Sequence, residues 1–139
     1  MHHLHHFNFA ALGVATAFLW ILGAAWYSPA LFAKPWMSYV GLTREQTANK
    51  KRTMLAGMLS SLAMDFVASF MLFHFIVWSG ADSFGHGAFV GFIAWLGFVA
   101  APQFPQGIYE GRPAGLFWIN AGYWLVGLAL VGGLLAVWQ

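Results

Sequence analysis

The sequence predicts an all-α fold: an integral membrane bundle of four transmembrane helices, with both termini on the outer side. Three observations carry that reading. Of 139 residues, 60% are hydrophobic and 7% charged, whereas a soluble domain is about 45–50% apolar and about 25% charged. The apolar residues fall into four runs long enough to cross a bilayer. Every Lys and Arg falls in the two connections that this topology places on one side. So short a chain leaves much of its surface wet in water, so lipid is the solvent for most of it.

The spans are read at about 9–27, 54–78, 87–108 and 115–138, in one domain over residues 1–139. Each run suffices to cross a hydrocarbon core of about 30 Å at about 1.5 Å per residue. Backbone groups in lipid must bond within their own segment, so the runs are helices. The first also suits a cleaved signal peptide in position. It lacks a Lys/Arg n-region, is longer than an h-region, and has Pro29 beside any cleavage site, so it is read as a retained helix.

The segment 28–53 is the one sizeable polar stretch. It holds Lys34, Arg44, Lys50, Lys51 and Arg52, and Arg112 lies between spans three and four. Positive charge favours the cytoplasmic side, which puts both of these loops inside and both termini outside. Thr43 with Gln46 three residues on reads as a capping box, so a short interfacial helix is expected from Arg44 to about Lys51. Lys50, Lys51 and Arg52 suit anionic lipid headgroups or a partner site. "WILG" at Trp20–Gly23 and "WLG" at Trp95–Gly97 each precede a Pro-containing helix end, a basic residue followed by Pro, and the next span. That order suggests two hairpins related by internal repetition.

Asp65 is the one formal charge inside the second run, 54–78. A carboxylate at the centre of a membrane helix costs roughly 2.5–3.5 kcal/mol on insertion scales. Ser61 and Ser69 lie four residues either side of it, and Gly57 extends the same helix face. Such small and polar stripes face neighbouring helices. Two readings stand: Asp65 is a hydrogen-bonded structural pin, or it titrates or binds a solute. Its expected partner is Gln103 or Tyr123. His74 and His86 are read as interfacial hydrogen-bonders.

Pro102 and Pro105 remove backbone donors and loosen the third span before Glu110. Gln103 and Gln106 are placed to satisfy freed carbonyls. Glu110 and Arg112 flank Gly111 and are expected to pair, while Asn120 and Tyr123 share a face of the fourth span. Glu110, Arg112 and Asn120 are expected to form one packed cluster with Trp26 and Tyr27. These residues, with Trp36 and Tyr109 as interface aromatics, fall on the basic side. Gln103, Tyr123 and Asp65 continue inward from it as a polar ladder. His2, His3, His5 and His6 would bind divalent metal opportunistically, but no carboxylate accompanies them with coherent spacing and no metal site is assigned. No cofactor is expected.

Three patches resemble a known family: "WYSPALFAKPW" (Trp26–Trp36) followed by Gly41, "WLGFV" (Trp95–Val99), and "EGRPAGLFWINAGY" (Glu110–Tyr123). With its four spans, the chain resembles the bacterial membrane family catalogued as domain of unknown function 1761. The matching positions are Trp26, Tyr27, Pro29, Trp36, Glu110, Arg112, Pro113, Asn120 and Tyr123. The His-rich start and the PQFPQ stretch depart from it. The resemblance implies the fold and a multi-pass location in a bacterial cytoplasmic membrane, and supplies no mechanism.

The sequence excludes thiol chemistry, having no Cys, and its net charge of +2 does not suggest nucleic acid. No HExxH, Gly-rich phosphate loop or Ser/His/Asp grouping is visible, so enzymatic activity is not expected. The favoured function is an accessory or structural subunit of a membrane complex. The alternative is a small-molecule or ion binding or transport protein, proton-linked through Asp65. The expected partners are the lipid bilayer and either a second copy of the chain, joined through Gly87-x-x-x-Gly91 and the glycines of span four, or another membrane subunit.

Overall fold

The computed structural model describes residues 7–41, 43, 45–46 and 51–139, and their regular structure is helical throughout. Six α-helices are numbered here in chain order: α1 (Phe9–Trp26), α2 (Ala33–Val40), α3 (Lys51–Ser79), α4 (Phe84–Trp95), α5 (Ala101–Tyr109) and α6 (Ala114–Val137). A π-helical turn, Leu96–Ala100, joins α4 to α5, giving one continuous span, Phe84–Tyr109. With α1, α3 and α6 it makes four helices long and apolar enough to cross a membrane.

Each helix end has a local cause. Asn8 caps α1, its Oδ1 accepting from the Ala11 N–H at 3.1 Å. Ser83 caps α4, its Oγ accepting from the His86 N–H at 3.2 Å, which starts the third span at Phe84 instead of Gly87. Gly80 stops α3 at φ 70°. There the N–H groups of Ala81 and Gly80 donate back to the carbonyls of Ile76 and Val77, each at 3.2 Å, a glycine-dependent C-terminal motif.

The stretch 28–53, expected as a loop with a helix near its end, instead carries α2. Pro35 sits in the first turn of α2, where its missing N–H has no intrahelical partner in any case. Gly41 ends α2 at φ 79°. The expected capping box forms: the Thr43 N–H donates to Gln46 Oε1 at 3.0 Å and the Gln46 N–H to Thr43 Oγ1 at 3.2 Å. Glu45 and Gln46 are helical. The rest of that expected helix as far as Lys50 lies outside the described residues, as do His2, His3, His5 and His6.

Pro102 and Pro105 do not break the third span. A Pro ring clashes with the carbonyl four residues back in a straight α-helix. Here the turn before Pro102 widens, and the Ala101 N–H donates five residues back to Leu96 O. Such single wide turns are how α-helices absorb a local mismatch.

α6 is the centre of the bundle. In its apolar window 56% of residues are buried, against 22–28% in the other three spans. The closest approach is to α4. A Cβ built at Gly87 would collide with Gly132 O, one at Gly91 with Leu128 O, and one at Gly132 with Gly87 O. The small-residue faces expected to join two copies therefore pack against each other within one chain. On the other flank Leu12, Leu19, Ile76, Val131 and Leu135 are fully buried.

Three indoles tie neighbouring segments to main-chain carbonyls. Trp20 Nε1 donates to Met58 O at 3.1 Å, Trp26 Nε1 to Ile119 O at 2.8 Å and Trp95 Nε1 to Ala121 O at 2.7 Å. Trp20 and Trp95, the tryptophans of the two similar motifs, thus each bond the span that follows their own.

Gly91→Ala forces a methyl into the α6 backbone and is expected to destabilise by about 1–3 kcal/mol. Gly85 has open space around it, so Gly85→Ala should be neutral or stabilise by up to about 1 kcal/mol through helix propensity. Thermal unfolding in detergent compares the two, and equal shifts would remove the glycine contact as the cause.

Candidate functional site

The polar residues run from the end of the bundle that carries Lys34, Arg52 and Arg112, called here the basic end, to the middle of the spans at Asp65 and Tyr123. They form two groups that meet at Asn120.

The first group lies inside the bundle. Asp65 is 3% exposed and Tyr123 7%. The Tyr123 hydroxyl donates to Leu19 O at 2.7 Å and lies 3.4 Å from Asp65 Oδ1. A phenol has one hydrogen, and the shorter contact takes it. The longer contact becomes a hydrogen bond when the carboxyl carries a proton of its own to donate. Asp65 thus points into the bundle and meets Tyr123, one of its two expected partners. Gln103 is not that partner. Gly23 lies beside the Tyr123 ring, and a Cβ there would make ordinary van der Waals contact with its hydroxyl at 3.4 Å.

Tyr27 stands next in the row, its ring centroid 6.1 Å from that of Tyr123. Its hydroxyl donates to Asn120 Oδ1 at 2.7 Å. Trp36 of α2 meets Tyr27 edge-on at 6.1 Å. Trp26 is held by its bond to Ile119 O and by Phe32, 4.8 Å away between ring centroids. Tyr39 fills the space that Gly115 leaves, so α2 docks against the start of α6.

The second group lines a cleft between α5 and the first turns of α6. The cleft has a volume of about 360 Å³, and its lining includes Gln103, Gln106, Glu110, Arg112, Phe117 and Asn120. The turn "EGRP" sets its rim. Gly111 adopts φ 68°, the Arg112 N–H donates to Gly107 O at 2.9 Å, and the Gly111 N–H donates to Ile108 O at 3.1 Å. This closes α5 with a left-handed glycine, and Pro113, itself extended at φ −61° and ψ 144°, is the N-cap residue from which α6 starts at Ala114. Glu110 receives Arg112 Nε at 2.8 Å on one carboxylate oxygen and Gln106 Nε2 at 3.1 Å on the other. The Arg112 and Glu110 side chains are 59% and 39% exposed, and a pair so wet adds at most about 1 kcal/mol to stability.

The single cluster expected from the sequence is therefore two clusters. The left-handed turn at Gly111 carries Glu110 and Arg112 to the rim, where they bond each other and Gln106. Asn120, two turns into α6, bonds Tyr27 and borders the cleft from below. Tyr109 is 91% exposed and joins neither group. His74 bonds within its own helix, Nδ1 donating to Phe70 O at 2.8 Å, and packs edge-on against Trp78.

Sequence reasoning missed two features. Ser69 Oγ is fully buried with no hydrogen-bond partner among the described residues, although its place on the Asp65 face marked it as inward. An apolar slot, also about 360 Å³, lies deeper between α3, the π turn and α6, lined in part by Ala68, Phe75, Ala94, Phe98, Gln103 and Trp124. Small residues at 68 and 94 were the available signal. Among the described residues no three His, Cys, Asp or Glu stand together to hold a metal.

Four lipid-length helices around a buried carboxyl–phenol pair, with a charged cleft at one end, define a multi-pass helical membrane protein. The chain belongs to the family described as "Protein of unknown function (DUF1761)", whose model matches residues 10–136 and spans all three motif patches. No curated protein and no solved structure matches it.

Tyr123→Phe removes the hydroxyl from both Leu19 O and Asp65, and is expected to cost about 1–3 kcal/mol of stability. In that background Asp65→Leu should cost less than it does alone, because the carboxyl has already lost its partner. Unfolding of the two single variants and the double variant in detergent measures the coupling; strictly additive losses would separate the two side chains.

Proposed function

We propose that this protein binds a small zwitterionic or amphiphilic molecule in the cleft between α5 and α6. The observation that carries this reading is the composition of one cavity. A concave volume of about 360 Å³ is bordered by a carboxylate, a guanidinium and three side-chain amides over an apolar floor of Phe104, Leu116 and Phe117. Ligand sites of this kind combine an apolar wall with a few convergent polar groups. Glu110 and Arg112 offer both signs of charge, and Gln103, Gln106 and Asn120 offer donors and acceptors.

The accessory-subunit reading comes second. Its support is the apolar outer face of α3, where Met54, Leu55, Met58 and Leu59 are exposed; lipid covers such a face as well as a partner does. A proton-linked version of the binding reading draws on the Asp65–Tyr123 contact. The basic residues support a cytoplasmic position for the cleft, with both termini outside a bacterial cytoplasmic membrane.

Mass spectrometry of the purified protein in detergent tests the binding reading. A retained small molecule or lipid, lost in Arg112→Gln and Asn120→Leu, is expected. A stoichiometric protein partner with no retained ligand would replace it with the accessory reading. Cysteine labelling tests the orientation. The chain has no Cys, so Asp82→Cys should react with an impermeant reagent in intact cells and Ser38→Cys should not. The reverse pattern would invert the topology.

A further inference from the structure

We infer that the cleft and the apolar slot form one site, and that its occupant is a bilayer phospholipid with a phosphoethanolamine headgroup. This rests on the binding reading above and names its ligand class. Gln103 borders both cavities, so they adjoin at that side chain. Their order along α6 matches the order of a lipid. The cleft touches α6 at Ala114, Leu116, Phe117 and Asn120, and the slot touches it one and two turns deeper, at Trp124 and Leu128. The polar chamber is thus at the basic end and the apolar chamber toward the membrane interior, as a headgroup and an acyl chain require.

Charge complementarity selects the headgroup. The cleft presents the Arg112 guanidinium beside the first turn of α6, where the helix dipole also favours an anion. Glu110 stands 2.8 Å from that guanidinium and supplies the opposite charge for an ammonium. A phosphate and a primary ammonium two carbons apart fit this pair, and the three amides add hydrogen bonds to both. A purely anionic headgroup would leave Glu110 facing like charge. Apart from Gln103, the slot is an open groove lined by apolar side chains and Trp124, with the Phe75 and Phe98 rings stacked at 6.1 Å. Phe98 and Val99 belong to the π turn, so the wide turn that accommodates Pro102 also supplies part of the slot wall.

The test is native mass spectrometry of protein delipidated in dodecyl maltoside. The probes are phosphatidylethanolamine, phosphatidylglycerol, diacylglycerol and soluble O-phosphoethanolamine. Phosphatidylethanolamine is expected to bind one per chain, at least tenfold more tightly than each of the other three. Arg112→Gln and Glu110→Gln should each weaken it at least fivefold. Ala94→Phe, which fills the slot and leaves the cleft intact, should weaken it at least tenfold. Should Ala94→Phe not elute as folded protein, Ala68→Leu serves the same purpose. Soluble O-phosphoethanolamine binding as tightly as the lipid, with Ala94→Phe without effect, would overturn the lipid inference and keep the cleft as a small-molecule site. Binding of no probe above the Arg112→Gln background would overturn the lipid inference and remove the support for the cleft reading with it.

Discussion

Hydrocarbon offers no hydrogen bonds, so a polar side chain drawn into this bundle costs free energy unless it finds a partner in the protein. The solution is consistent across the fold: amphipathic donors reach main-chain carbonyls of another segment. Trp20 reaches Met58, Trp26 reaches Ile119, Trp95 reaches Ala121 and Tyr123 reaches Leu19. Each ring supplies apolar area along its body and one donor at its tip. Individual interhelical hydrogen bonds in membranes contribute only about 0.6 kcal/mol on average, so these four set register more than they set stability. Three of the four involve α6, which is the helix every other span must fit.

The fit is made by subtraction. α6 carries Gly115, Gly122, Gly127, Gly132 and Gly133, and at each of these a Cβ would meet another segment: Tyr39, Trp26, Leu19, Gly87 and Phe84 respectively. Glycine in a helix interior costs about 1 kcal/mol relative to Ala, and no hydrophobic effect drives helices together in lipid. The return is packing: backbone approaches backbone at Gly87 and Gly132, and the side chains of Tyr39, Trp26, Leu19 and Phe84 approach α6 at its other glycines.

Hydropathy made the four spans legible, because a run such as 115–138 has no other solvent in which to fold. Asp65 was legible as inward-facing for the same reason, and shared depth narrowed its partner to Gln103 or Tyr123, of which Tyr123 is the one it meets. The helix α2 was hidden because Lys34-Pro35 reads as a helix stop, while three-dimensional context uses that Pro within a first turn. The π turn was hidden because the sequence shows two prolines and cannot show how the preceding carbonyls move. The polar cluster was half legible. Residue depth placed Glu110, Arg112 and Asn120 around one cleft, but depth says nothing of the direction a left-handed glycine sends the chain, which divides them into two groups. The apolar slot had no polar signal at all; it exists because Ala68 and Ala94 are small where their neighbours are Phe and Met.

Asn120 is where the two halves of the site touch. Its Oδ1 accepts from Tyr27, whose ring stands beside Tyr123, whose hydroxyl stands beside Asp65. Its other face borders the cleft that Glu110 and Arg112 rim. A side-chain amide has two acceptor lone pairs and two donors, so the Tyr27 bond leaves capacity toward the cleft. A group in the cleft that draws on that amide acts on the same side chain that orients Tyr27. Between the buried carboxyl and the cleft that holds the exposed ion pair stand three side chains, Tyr123, Tyr27 and Asn120, with α6 supplying both Asn120 and Tyr123 from one face. A rigid helix fixes the spacing of Asn120 and Tyr123, so one element positions both the floor of the cleft and the partner of the buried carboxyl.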